Sequence, residues 1–161
     1  MALRTLRIAQ DDILHKVSRP VVQVNDKTRQ LLDDMLETMY HAGGVGLAAV
    51  QVGILRRLLV IDVTEEGTNP LEFINPEIVW QKGTQIGWEG CLSIPGKSGK
   101  VERPAITVVR AIDRFGQPFE MRCDGQLAVA LNHEMDHLDG ILYTQKAVMI
   151  RNQGEEEDDE D

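Results

Sequence analysis

Between residues 25 and 41 apolar side chains recur at helical spacing. Leu31, Leu32, Met35, Leu36, Met39 and Tyr40 fall on one face, and Arg29, Gln30, Asp33, Asp34 and Glu37 on the other. The pattern predicts a helix over 25–41, capped by Asn25 or Asp26 and stopped by Gly43-Gly44. A shorter helical turn is expected over 11–16, before the Arg19-Pro20 break. Residues 57–63, with Leu58, Leu59, Val60, Ile61 and Val63, read as a strand, and 65–70 as turn material. Strand pieces 71–74 and 77–81 are split by Asn75-Pro76, and 83–88 are a further candidate. Residues 106–112 and 117–122 flank Asp113-Arg114-Phe115-Gly116, a hairpin signal. A second helix is predicted over 125–138. Strands fill the middle and helices lie to either side, with no regular strand–helix alternation. The expected fold class is α+β with largely antiparallel pairing.

Length and charge narrow this picture. The 161 residues suit one domain, and 42% hydrophobic residues can fill a core. No apolar run exceeds five residues (127–131), so no spanning helix is expected, and the N-terminus lacks a secretory signal. The net charge of -9 is concentrated at one end: residues 155–161 are all acidic, and without them 19 acids face 17 bases. We therefore expect one folded domain over 1–150 and a solvated acidic tail over 151–161. A body near neutrality argues against binding DNA or RNA through bulk positive charge. Cys91 and Cys123 are the only cysteines, and both are expected to be reduced, in a cytoplasmic setting.

The candidate chemistry centres on His133-Glu134-Met135-Asp136-His137. Two histidines four apart on a helix share one face and can reach one metal ion. Glu134 then sits beside the metal and can act as general base and acid toward a bound water. The plain alternative is two histidines on an amphipathic helix. A water-activating metal needs a third protein ligand. In one protease pattern it would be a histidine where this chain has Tyr143, and the downstream glutamates all lie in the acidic run. The ligand is therefore sought upstream. Cys91, in Glu89-Gly90-Cys91-Leu92-Ser93-Ile94-Pro95, is the best candidate, against its reading as a small buried residue. A third element is Gly43-Gly44-Val45-Gly46-Leu47-Ala48-Ala49-Val50-Gln51. Its glycines fit neither a phosphate loop nor a dinucleotide fingerprint. They could let an extended substrate lie against the backbone, with the Gln51 amide facing a developing oxyanion. The alternative is tight packing or a helix cap.

Together, in this order, Gly44–Gln51, Glu89–Ser93 and His133–His137 closely resemble the peptide deformylases. That family carries Gly-x-Gly-Leu-Ala-Ala-x-Gln, Glu-Gly-Cys-Leu-Ser and His-Glu-x-x-His in the same sequence. The resemblance implies antiparallel strands packed around a central metal-binding helix, with a long N-terminal helix. It implies Cys91, His133 and His137 as metal ligands and Glu134 as general acid/base. Gln51, through its amide, and the Leu92 N–H would hold the oxyanion. Backbone groups of Val45, Gly46 and Gly90 would pair with the peptide, and Val45, Val129 and Ala130 would line a methionine pocket. The implied cofactor is one divalent metal ion, ferrous iron in the cell, with zinc, nickel or cobalt suiting the same donors. The implied substrates are N-formylmethionyl peptides met close to the ribosome, and the implied state is a cytoplasmic monomer with no DNA or membrane partner. Asn132 stands where the family usually has glutamine. The acidic run stands where some members carry a basic, ribosome-docking helix. The competing functions are a zincin-type metallopeptidase and a metal-binding relative without turnover.

Overall fold

The computed structural model describes residues 2–153. The first α-helix, α1 (Asp26–His41), starts on a reciprocal cap. The Asn25 side chain accepts the Thr28 N–H at 3.1 Å, and Thr28 Oγ1 accepts the Asn25 N–H at 3.3 Å. It stops where Gly43 takes φ 74°, in the left-handed region, and the Gly44 N–H reaches back to the Met39 carbonyl. Leu31, Leu32, Met35 and Met39 are buried, as the periodicity requires. Asp34 departs from the predicted polar face and is buried. The N-terminal segment crosses it, and its carboxylate accepts from Ala2 N, Gln30 and the Arg4 guanidinium. Before α1 there is only a 3-10 turn, Asp12–His15.

Six strands form one antiparallel sheet among the described residues: β1 (Gly46–Ala48), β2 (Leu58–Ile61), β3 (Leu71–Cys91), β4 (Ile94–Ile112), β5 (Pro118–Asp124) and β6 (Met149–Asn152). Their order is β1-β2-β3-β4-β5, and β6 pairs with the start of β4. The predicted strand pieces between 71 and 88 are one continuous strand. The Asn75-Pro76 interruption is absorbed as a bulge between the pairs Ile74↔Ile112 and Glu77↔Arg110. Asn75 takes φ 52° there, and its amide exchanges two hydrogen bonds with the Val21 backbone. Segment 89–95, which holds Cys91, is the closed end of the β3–β4 hairpin, with Leu92-Ser93 between the pair Cys91↔Ile94.

The second helix, α2 (Gly125–Leu138), follows β5 directly. It buries Ala128, Ala130, Leu131, Met135 and Leu138 in a core shared with β1, β2, β4 and β5. A second cluster lies between α1 and the β1–β2 side of the sheet. Arg151 and Asn152 pair with Ser98 and Lys97, so the sheet continues past residue 150. Residues 154–161, which hold most of the predicted acidic tail, lie outside the described residues. No described helix is long and apolar enough to cross a membrane.

Candidate active site

Helix α2 and the closed end of the β3–β4 hairpin bring three donors together. One ligand atom each from Cys91, His133 and His137 lies within 4.8 Å of the others. Cys91 Sγ is 3.3 Å from His137 Nε2, and the two imidazole rings have centroids 5.0 Å apart. The i, i+4 spacing on a helix aims both rings to one side. The hairpin end delivers the thiol from the sheet. Both cysteines are free, and burial raises the Cys123 thiol to about 11, so it serves as packing.

His133 is oriented from behind. Its Nδ1 faces Glu89 Oε1 at 2.8 Å, which leaves Nε2 for the cluster. Glu89 receives both arms of Arg103 at 2.8 and 2.9 Å. Arg103 also binds Asp136 at 2.7 Å, and Lys146 closes the chain on Asp136 at 3.0 Å. Burial alone would raise the Glu89 carboxyl. The Arg103 fork and the His133 ring outweigh it and hold the group at about 2. Tyr143 stacks on the His133 ring, with centroids 5.9 Å apart.

Glu134 is buried, and its Oε1 has no protein partner. Burial pushes its carboxyl up to about 7. The approach of β1 to this group requires a glycine. A Cβ on Gly46 would lie 2.6 Å from Glu134 Oε2. Gln51 sits on the 3-10 turn after β1. Its Oε1 accepts the Ala48 N–H at 2.9 Å. That points Nε2 at Ser93 Oγ, 3.0 Å away, and toward Cys91 Sγ, 3.6 Å away. Past the helix cap that Gly43 and Gly44 form, the glycine-rich stretch is thus a short strand and a turn, not a phosphate loop.

These groups open onto a cleft of about 580 Å³. Its wall includes Val45, Gly46, Gln51, Gly90, Cys91, Leu92, Val129, Ala130, His133 and Glu134, all predicted from the sequence. His137 is fully buried and stands behind Cys91, off the wall. The sequence reading missed Glu89 as the partner of His133. A period-two signal could have found it, because residues two apart on a strand share a face, and Cys91 follows it by two. Arg103 carried no such signal, since the glycine- and proline-punctuated start of β4 did not read as strand.

The donor set fits a cation. His137 is pushed well below its ordinary pKa by burial and so presents a neutral ring. Burial opposes protonation of His133, but Glu134, Cys91 and Glu89 outweigh it and raise the group to about 10. Those surroundings favour a positive charge that a metal ion can supply in place of the proton. Fold and site together define a metal-dependent hydrolase. The family model for polypeptide deformylase matches residues 3–153. The chain is 57% identical to a peptide deformylase of Lachnoclostridium phytofermentans over 146 residues, covering 91% of this chain and 90% of the relative. It is 54% identical to that of Acetivibrio thermocellus, covering 98% and 91%. Its fold matches the crystal structure of a peptide deformylase from Legionella pneumophila at TM-score 0.88 and 42% identity, over 90% of this chain and 86% of the other. It matches the Synechococcus elongatus peptide deformylase in complex with actinonin at TM-score 0.87 and 43% identity, over 89% and 80%. The chain belongs to the polypeptide deformylase family, metal-dependent hydrolases that remove the N-formyl group from nascent peptides.

Proposed function

We propose that Cys91, His133 and His137 hold one divalent cation, ferrous iron in the cell, and that Glu134 moves the proton of the hydrolytic water. The observation that carries this reading is the buried Glu134 carboxylate, with Oε1 unpaired beside the three donors. A cation held there supplies Lewis-acid chemistry, making water acidic enough to react near neutral pH. Glu134 Oε1 accepts a proton from the water that attacks the formyl carbon. The raised pKa suits the return of that proton to the leaving amine. The C–N bond breaks as the new C–O bond completes formate, and the peptide leaves with a free N-terminus. Gln51 Nε2 and the Leu92 N–H donate to the oxygen on which negative charge develops.

Backbone groups of Val45 and Gly46 on one wall, and of Gly90 on the other, pair with an extended peptide in the cleft. Val45, Val129 and Ala130 pack on the methionine side chain. On the same reading the enzyme is a monomer in the bacterial cytosol, meeting its N-formylmethionyl substrates as they leave the ribosome. Little room is left at the reacting carbon for a group larger than formyl, because β1 runs so close to Glu134 that even a Cβ on Gly46 would lie 2.6 Å from its Oε2.

Anaerobic purification followed by metal analysis tests the assignment. One metal ion per chain is expected, with loss of the ion in Cys91→Ala. Glu134→Gln should keep the ion and lose turnover by about 10²- to 10⁴-fold. Full activity in Glu134→Gln, or undiminished metal in Cys91→Ala, would overturn the respective role.

A further inference from the structure

The wall of the cleft has a gap that the catalytic groups do not account for. On β3 the residues facing α2 alternate. Gln85 donates to the Gly125 carbonyl at the start of α2 at 3.0 Å, and Glu89 meets His133 two turns further along. Four strand residues span about 13 Å and eight helix residues about 12 Å, so strand and helix run alongside in step between these two contacts. Midway on the strand stands Gly87. It therefore faces the α2 stretch that carries Gln126, Val129 and Ala130, and it lines the cleft with them. Its cross-strand partner Val101, on the same face, is buried and also lines the cleft.

At Gly87 a Cβ would meet no heavy atom within 4 Å. Its φ is not in the left-handed region, so nothing in the backbone calls for glycine there. At Gly46 the added atom would strike Glu134; at Gly87 it would enter empty space. Opposite the gap, Ala130 offers a single methyl and Gln126 is exposed to solvent. The recess beside His133 thus has small walls and an end that opens to water between β3 and the first turn of α2.

We infer that Gly87 sets the length limit for the first side chain of the formyl-peptide, and that unbranched apolar side chains longer than methionine pass through this gap. The inference rests on the placement of that side chain against Val129 and Ala130. It goes further by naming the residue that selects among substrates and the class of side chain admitted. Each methylene that is fully buried along the recess wall adds up to about fourfold in kcat/KM. The gain tapers as the chain end reaches water beyond Gln126.

The test uses the metal-loaded full chain and formyl-X-Ala-Ser peptides, where X carries a methionine, n-butyl, n-pentyl or n-hexyl side chain. Formate release gives kcat/KM for each. In the wild type the n-hexyl to n-butyl ratio should be one or greater. Gly87→Ile should cut that ratio at least tenfold by filling the gap, and Gly87→Ala should cut it by less. An intact circular-dichroism spectrum and bound metal in each variant serve as the folding check, and the graded Ala variant keeps the test alive if Ile disrupts the strand. A wild-type ratio below one tenth, or a ratio unmoved by both substitutions, overturns the inference. Absence of formate release from the methionine peptide in the wild type would instead strike the deformylase assignment, so the two failures are distinguishable.

Discussion

In the proposed mechanism, Gln51 makes the chemistry rest on the direction of one side chain. Its oxygen is occupied by the Ala48 N–H, so only its nitrogen can face the thiol and the cleft. Gln51→Ala should lower kcat by about 100- to 1,000-fold, because a donor to the developing oxyanion is lost. KM should move much less, since that oxygen carries little charge in the ground state. A variant that raises KM with unchanged kcat would assign Gln51 to substrate binding instead. The identities of Gln51, Cys91, His133, Glu134 and His137 were legible because each sits in a short local motif. Glu89 lay inside a motif yet had no stated task, since its partner is 44 residues away in sequence.

At the scale of elements, the pairing of α2 with the β3–β4 hairpin decides whether the donors meet. Arg103 on β4 holds Glu89 on β3 and Asp136 on α2 at once, and all three are largely buried. Arg103→Ala leaves Glu89 with only the His133 ring and Asp136 with only Lys146, in a poorly solvated place. A loss of about 3–5 kcal/mol is expected, read as a lower urea midpoint. A loss under about 1 kcal/mol, the scale of an exposed pair, would contradict this role. Helix α2 was legible from end to end, because its apolar period and its β5 boundary agree. The long hairpin was only partly legible. Pro76 and the glycines of 83–90 look like breaks, and they are tolerated because, among the described residues, β3 has no partner on its other edge after the bulge. Strands β1 and β6, with three and four residues, are too short to show a period.

For the whole molecule, the acidic net charge says little about the site, which depends on carboxylates held against cations in the interior. Glu89 shows the consequence for stability. Its pKa is depressed from the ordinary 4.5 to about 2 in the folded chain. Its ionised form therefore contributes stability that is fully present above about pH 4.5 and is lost as pH falls toward 2. The urea stability gap between wild type and Glu89→Gln should be largest near pH 6 and close through that window. A gap that stays constant down to pH 2 would show that Glu89 is not held ionised by Arg103 and His133.

The same interior arrangement supports the proposed formyl-specific amide hydrolysis at the Cys91–His133–His137 cluster. The most direct test is to offer anaerobically purified, metal-loaded enzyme formyl-Met-Ala-Ser alongside the unblocked peptide Met-Ala-Ser. Expected are one formate and one free amino terminus per formyl-peptide consumed, no cleavage of Met-Ala-Ser, and loss of formate release on chelation with recovery on adding metal back. Cleavage of an internal peptide bond, or no formate from metal-replete enzyme, would contradict it.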